Sequence, residues 1–371
     1  MKFIIESKLL AEKLQLLSGV LSSNSTLPIL ENFLFSSHGN ILTITASDLD
    51  NTMTTKIQLE QENNFSIAIP GKMLIDLLKS FAHQPIEFAI LENHTIDIVS
   101  NSGKYSIAYF DGAEFPKAPE IAESSSTTIN SKILLNSINK TLFATGNDDL
   151  RPFMTGVCFD FNTERCVFVA TDAHKLSKYS RTDVKATYAA KFTVPKKPLG
   201  VLKSALANLD HDLEITHNIS NAKFTFSDYE LSCRLIDCEY PNYEGVIPKV
   251  NDKKVEISRN ALLSSLKCIS IFSNKTTHQV KLSFKGNSLA LSAEDKDYSN
   301  KGDEKLTCNY TGEDLDIGFN SKYLIEILGN LTSEEISIDM SQPNRAGVIM
   351  PIDNLEADEE VLMLAMPVIL N

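Results

Sequence analysis

The sequence predicts an α+β fold made of three tandem copies of one unit, in which an antiparallel sheet carries two helices on one side. Three observations predict it. Segments of the same kind recur at separations near 125 residues. Apolar residues fall at helical spacing at matching places in every copy, and the runs between them alternate apolar and polar residues with period two.

The first recurring segment runs from a strand into an amphipathic helix: FIIESKLLAEKLQLLSGVL from Phe3, TTINSKILLNSINKTLFAT from Thr127 and VEISRNALLSSLKCISIFS from Val255. Triplets at i, i+4 and i+7 line one helix face: Leu10, Leu14, Leu17; Leu134, Ile138, Thr141; Leu262, Leu266, Ile269. The opposite faces are polar, with Lys8, Glu12 and Gln15, then Lys132, Asn136 and Asn139, then Asn260, Ser264 and Lys267.

The second segment is FSIAIPGKMLIDLLKSF from Phe65, KFTVPKKPLGVLKSAL from Lys191 and LDIGFNSKYLIEILGNL from Leu315. A strand ends at Ile69, Val194 and Phe319, and Pro70, Pro195 and Asn320 then signal a helix start. Lys72, Lys197 and Lys322 open the helices at intervals of 125 residues. A helix N-terminus favours anions over cations by a few tenths of a kcal/mol, up to about 1. Three lysines at the same disfavoured place therefore point to a use.

The third segment is a strand ending in a small-polar-acidic turn, at Asp48, Asp172 and Asp295. Asp172 and His174 look like a catalytic pair, but the counterparts of Asp172 have no histidine two positions on. An aspartate there is expected to hydrogen-bond the backbone of its own turn, which leaves His174 peculiar to the middle copy. Alternating runs such as 104–110, 213–236 and 335–340 read as antiparallel strands with one wet face. Pattern gives way to proline, serine and charge near 116–126 and 248–254, so the expected domains are 1–120, 127–248 and 253–371.

Composition narrows the function classes. The chain has 371 residues, 43% hydrophobic and 22% charged, enough apolar material for several cores. Glu6, Lys8, Glu12 and Lys13 interrupt the N-terminal apolar patch, and no window offers the roughly 18 apolar residues of a membrane span, so a cytoplasmic location and no membrane partner are expected. The six cysteines show no CxxC pair, and reduced thiols without metal or cofactor are expected. No phosphate-cradling GxxxxGK[ST], GxSxG or HExxH occurs. The paired carboxylates of 294–297 and 356–360 read as solvated loops, and the seven histidines are dispersed.

A formal net charge of −13 argues against a chain that coats nucleic acid with its whole surface, yet not against lysines gathered on one face. Lys72, Lys197 and Lys322 with Lys8, Lys132, Lys140, Lys203 and Lys267 would form such a face on the helical side, suited to a phosphate backbone and blind to bases. These lysines are equally compatible with a merely solvated surface.

Read together, the three copies and the motifs TLPIL (26–30), ATDAHKL (170–176), YPNYEGVIP (240–248), GFNSKYL (318–324) and MPVIL (366–370) resemble the bacterial DNA polymerase III beta subunit family of sliding clamps, over the whole chain. The resemblance implies a head-to-tail homodimer whose six clamp domains close into a ring, helices inside and sheet outside. Duplex DNA would pass through the ring, which would tether the catalytic subunit of the replicative polymerase and other proteins carrying a clamp-binding motif, such as repair polymerases, ligase and mismatch repair factors. No nucleotide motif is present, so an external ATP-dependent clamp loader is implied.

Residue by residue, the family's partner-peptide groove falls on Met154, Thr171, Ala173, His174, Lys175, Leu176, Pro241, Val246, Asn320, Tyr323, Asn344, Leu364, Met366, Pro367 and Val368. Its DNA-facing set adds Arg151 and Lys196 to the lysines above, and its dimer contact falls on Tyr105 and Ile107 against Ile271 and Phe272. Asn24 stands where relatives carry arginine, the loop 146–152 is acidic where a DNA contact is expected, Ala173 replaces glycine and Ile369 replaces a basic residue. Two other readings remain: a hydrolase using Asp172 and His174, and a three-domain scaffold without a DNA role.

Overall fold

The computed structural model describes residues 1–22, 27–119, 121–122 and 124–370. They form two compact units, Met1–Leu135 with Lys197–Leu235, and Asn136–Lys196 with Ile236–Asn371. Six α-helices lie where the triplets and helix-start signals predict: α1 (Ser7–Leu17), α2 (Gly71–Ser80), α3 (Ser131–Thr141), α4 (Lys196–Leu206), α5 (Arg259–Ser270) and α6 (Ser321–Gly329). All nine triplet residues are buried, from Leu10 to Ile269, Thr141 included; its hydroxyl donates back to Ser137 O at 2.6 Å. Lys8, Glu12, Lys132, Asn260, Ser264 and Lys267 are exposed, so each helix presents its apolar stripe to a core and its polar stripe to water.

One backbone hydrogen bond repeats in all three copies. The first residue of α1, α3 and α5 donates to the residue preceding a strand: Ser7 to Gln84 O at 2.9 Å, Ser131 to His211 O at 3.0 Å and Arg259 to Glu334 O at 2.9 Å. A helix N-terminus leaves its first N–H groups without intrahelical partners, and this bond satisfies one of them while fixing helix to sheet. Asn320 caps α6 by accepting from Lys322 N at 2.9 Å, and Asn130 does the same for α3 through Lys132 N, also at 2.9 Å.

In the first unit a four-stranded sheet runs Lys2–Glu6, Pro85–Ile90, Thr95–Val99, Lys104–Ala108. A second sheet begins with the long hairpin Asn32–Ser47 and Asn51–Pro70 and continues through Tyr229–Arg234, Asn221–Phe226, Asp212–His217 and Ser125–Asn130. Tyr229 faces Thr55 and Leu231 faces Met53, so strands of the middle copy extend a sheet begun by the first. Here α1 packs on α2. The buried Lys13 of α1 meets Asp228, donates to Thr55 Oγ1 at 3.0 Å and lies 4.8 Å from the Tyr229 ring centre.

The second unit is built the same way. A nine-stranded antiparallel sheet runs Ala190–Pro195, Gly156–Phe161, Cys166–Thr171, Lys175–Arg181, Glu359–Ala365, Gly347–Pro351, Glu335–Met340, Lys253–Ser258, Asn309–Thr311. A five-stranded sheet runs Asn300–Thr307, Ser288–Asp295, Gln279–Lys285, Leu315–Asn320, Pro367–Val368, and α5 packs on α6. The middle copy thus divides its strands between two sheets, which is why the compact units cut across the repeat.

Leu266 of α5 is fully buried, whereas Ser264 is exposed. Leu266→Ala should lower the unfolding free energy by about 2–5 kcal/mol, and Ser264→Ala should leave it within about 0.5 kcal/mol, both measured by urea titration.

Candidate functional site

The strand-end turn is the point from which the site is assembled. Asp172 Oδ1 accepts from the backbone N–H of His174 at 2.9 Å and of Lys175 at 2.8 Å, which closes the turn locally. Asp48 does the same for Asn51 N at 2.6 Å, and Asp295 for Asp297 N at 3.2 Å. The two earlier turns share a left-handed residue directly after the aspartate, Leu49 (φ 81°) and Ala173 (φ 73°). Position 173 is therefore one that glycine occupies with less strain than alanine.

Asp172 Oδ2 takes the ammonium of Lys175 at 2.6 Å, and Glu326 of α6 takes it at 3.0 Å. Burial disfavours this charge, but the hydrogen bonds to both carboxylates outweigh it and hold Lys175 above the ordinary lysine range. The same ammonium lies 4.8 Å from the Tyr323 ring centre, and the His174 ring stacks on Tyr323 at 5.4 Å with planes 14° apart. Asp172 is thus bound to its own turn and to a lysine, and His174 lies against a phenol ring. Among the described residues no group of three or more His, Cys, Asp or Glu is placed to hold a metal ion.

Beside the turn is an open groove of about 950 Å³. Ten of the expected residues line it: Met154, Thr171, Ala173, Lys175, Leu176, Pro241, Val246, Asn344, Leu364 and Met366. Its floor is a core cluster that includes Cys158, Val167, Val169, Leu176, Val348 and Leu364. Tyr240 and Tyr243 form a wall; Phe153 meets Tyr240 edge-on at 5.9 Å, and Tyr243 Oη donates to Asp160 Oδ2 at 2.9 Å. Burial, and for Tyr243 also its bond to Asp160, push both phenols above the ordinary tyrosine range, so both stay neutral. Lys178 holds Glu244 at 2.7 Å and so pins the short helical turn Tyr243–Val246 that carries the exposed Val246.

Five expected groove residues do not line it. His174 and Tyr323 stack on each other, Asn320 caps α6, and Pro367 and Val368 pair with Phe319 and Gly318 as the last strand of the five-stranded sheet. Conversely Phe153, Tyr240, Asn242, Tyr243, Gly245, Ile247, Pro248, Lys249, Arg345 and Ala346 line it without having been singled out. Most of these adjoin expected residues in the chain, so the continuity of 240–248 was a usable signal. Arg345 and Ala346 likewise directly follow the expected Asn344 in the chain.

The basic residues sort into three groups. Lys72, Lys203, Lys267 and Lys322 are exposed and form no salt bridge with a described residue. Others are spoken for: Lys8 by Glu12 at 3.9 Å, Lys132 by Asp210 at 2.5 Å, Arg151 by Asp148 at 2.7 Å and Lys197 by Asp48 at 2.6 Å, while Lys196 is hydrogen-bonded to Asn147. Lys140 corrects an expectation. It is buried, and its ammonium donates to Asn330 O at 2.9 Å and Thr332 Oγ1 at 3.3 Å, where burial lowers its pKa. Its polar spacing was real, but the side chain caps the end of α6 and does not face water. Asn24 lies outside the described residues.

At the sheet edges, Lys104–Ala108 ends the four-stranded sheet and Asn300–Thr307 ends the five-stranded one. Tyr105, Ile271 and Phe272 are exposed as expected, while Ile107, 5% exposed, is packed within its own unit and is not free to meet another surface. The segment 356–360, expected to be a solvated loop, instead supplies Glu356, which binds the buried Arg181 at 2.5 Å, and the start of the strand Glu359–Ala365.

Asp172→Asn keeps the backbone acceptor and removes the charge from Lys175. It should lower the unfolding free energy by about 1–3 kcal/mol. Lys175 is held above its unfolded pKa of about 10.4, so its contribution is fully present below that pH and is lost only as pH rises through the folded value. The loss caused by Asp172→Asn should accordingly be the same at about pH 7 and about pH 9 in denaturant titrations.

With this geometry in hand, three family models match the chain in succession: the N-terminal domain of the DNA polymerase III beta subunit over residues 1–119, its central domain over 128–242 and its C-terminal domain over 244–368. The beta sliding clamp of Vibrio cholerae serotype O1 is 26% identical, over 99% of this chain and all of that one. That of Escherichia coli K12 is 26% identical over 95% of this chain and all of its own length. Among solved structures, the DNA polymerase III subunit beta of Pseudomonas aeruginosa, a sliding clamp bound to griselimycin, is 26% identical with a TM-score of 0.94 and full coverage of both chains. The beta subunit of Thermotoga maritima, 24% identical with a TM-score of 0.92 and full coverage of both chains, shares the fold. The chain belongs to the DNA polymerase III beta subunit family.

Proposed function

We propose that the chain is a DNA polymerase processivity factor, a sliding clamp that acts without catalysis of its own. The observation that carries this reading is the succession of three beta subunit domains along nearly the whole chain. Its three clamp domains are 1–120, 127–248 and 253–371. Two copies join head to tail, the edge strand Lys104–Ala108 of one meeting the edge near Asn300–Thr307 of the other, with Tyr105, Ile271 and Phe272 in the contact. Closure into a ring removes two unpaired edges that would otherwise invite aggregation.

Duplex DNA threads the ring. Retention comes from topology, so weak contacts from Lys72, Lys203, Lys267 and Lys322 to phosphate suffice, and they leave the ring free to slide. The groove holds a short extended peptide of the polymerase catalytic subunit, its apolar side chains on the floor of Leu176 and Leu364. Repair polymerases, ligase and mismatch repair proteins share that groove in turn, and an ATP-dependent loader opens the ring. The work is done in the cytoplasm.

The labelled protein, loaded on circular duplex DNA by its loader with ATP, should be retained and should be lost when one cut linearises the circle. Equal retention on both forms would overturn the ring. Replacing Lys72, Lys203, Lys267 and Lys322 by alanine should reduce the steepness of the salt dependence of DNA binding by about 1 per lysine in contact with phosphate. Replacing Lys132, Arg151 and Lys197, which already have carboxylate partners, should change it less.

A further inference from the structure

Two cations at the end of α6 are held without a carboxylate. The buried Lys140 ammonium donates to Asn330 O at 2.9 Å and Thr332 Oγ1 at 3.3 Å, and the Arg259 guanidinium donates to Ser333 O at 2.6 Å and Leu328 O at 3.1 Å. Neither cation forms a salt bridge with a described residue. A cavity of about 160 Å³ opens beside them, with Lys140, Thr332 and the apolar Leu331, Pro351 and Val361 in its wall. It shares no lining residue with the groove.

Asp353, Glu356 and Glu359 also line this cavity. Glu356 is held by Arg181 at 2.5 Å, and Asp353 accepts from Glu334 N at 2.9 Å and Glu335 N at 3.2 Å. Glu359 has no cation within salt-bridge distance among the described residues and accepts only from Glu356 N at 3.3 Å. Burial lowers the Lys140 pKa; the Glu359 charge opposes this and the Arg259 charge adds to it. Desolvation and a neighbouring cation are the two conditions that make a lysine amine nucleophilic near neutral pH.

We infer that Lys140 is a modification site, an amine that condenses with small neutral aldehydes in this cavity. The Nζ lone pair bonds to the carbonyl carbon, the carbonyl pair moves to oxygen, and one proton passes from nitrogen to oxygen to give the carbinolamine. That oxygen then leaves as water, taking the last proton from nitrogen, and an imine remains. Glu359, the uncommitted carboxylate of the wall, carries protons between the two atoms. A water molecule claims about 30 Å³, so the volume suits an aldehyde of two or three carbons, and three carboxylates in the wall repel an anionic one. A protonated imine keeps a single N–H, so either Asn330 O or Thr332 Oγ1 loses its donor and the end of α6 loosens.

The test is reductive alkylation of the full-length protein by propanal with sodium cyanoborohydride, read by peptide mass spectrometry after brief exposure. Only about one ordinary lysine in two thousand is neutral at about pH 7. Lys140 should therefore be alkylated about tenfold faster there than the exposed Lys203 and Lys267. The advantage should vanish near about pH 11, where exposed lysines are neutral as well and only access remains. Leu355→Trp, which adds bulk to the cavity wall at a partly exposed position, should slow alkylation of Lys140 and leave Lys203 unchanged. Glyoxylate, an anionic aldehyde, should show no preference for Lys140.

Alkylation of Lys140 no faster than that of Lys203 at about pH 7 would overturn the inference. An unchanged rate in Leu355→Trp would place the reaction outside the cavity and overturn the site. Equal preference with glyoxylate would overturn the neutral class of substrate. Selectivity that persists in denaturant would trace to the local sequence and overturn the role of the fold.

Discussion

The antiparallel pairing of Lys175–Arg181 with Glu359–Ala365 is the constraint on which the functional part of the molecule depends. Seven residue pairs from Lys175 opposite Ala365 to Arg181 opposite Glu359 join strands nearly two hundred positions apart in the chain. Leu176 and Leu364 come opposite each other in this register, and both lie on the groove floor. A slip of one residue would send both side chains to the other face of the sheet. Met366 N donates to His174 O at 2.8 Å just beyond the last pair, so the same pairing fixes the turn and the tail that rim the groove.

Charge placement follows from that pairing. Lys175 is buried at the first position of its strand and requires two carboxylates, which Asp172 and Glu326 provide. At the far end Arg181 is equally buried and is held by Asp183 at 2.6 Å and Glu356 at 2.5 Å. Between them Lys178 takes Glu244. Three cations on one strand thus engage the acids around it.

Much of the fold was legible because its signals are local and repeated. The i, i+4, i+7 triplets specify which helix face is buried, whatever it packs against, and all nine positions are buried. The strand-end aspartates bond within their own turns, so three copies of the turn could be recognised from four residues each. Lys140 shows the limit of the same reasoning: its spacing places it with polar neighbours, but the end of α6 arrives over it and takes its ammonium. Ile107 fails for the same reason, since alternation cannot say which face of an edge strand another layer covers.

The sequence by itself therefore determined the repeat, the helices with their buried faces, the strand-end turns and, through the family motifs, half of the residues that line the groove. Those features depend on contacts spanning a few residues or on patterns that recur three times. Tertiary structure alone decided which lysines stay unpaired, how the middle copy divides its strands between two sheets, and which further side chains join the expected ones along the groove. Each of these depends on which distant segment arrives beside a given residue. Pairing and burial between elements set that, and local periodicity carries no record of it.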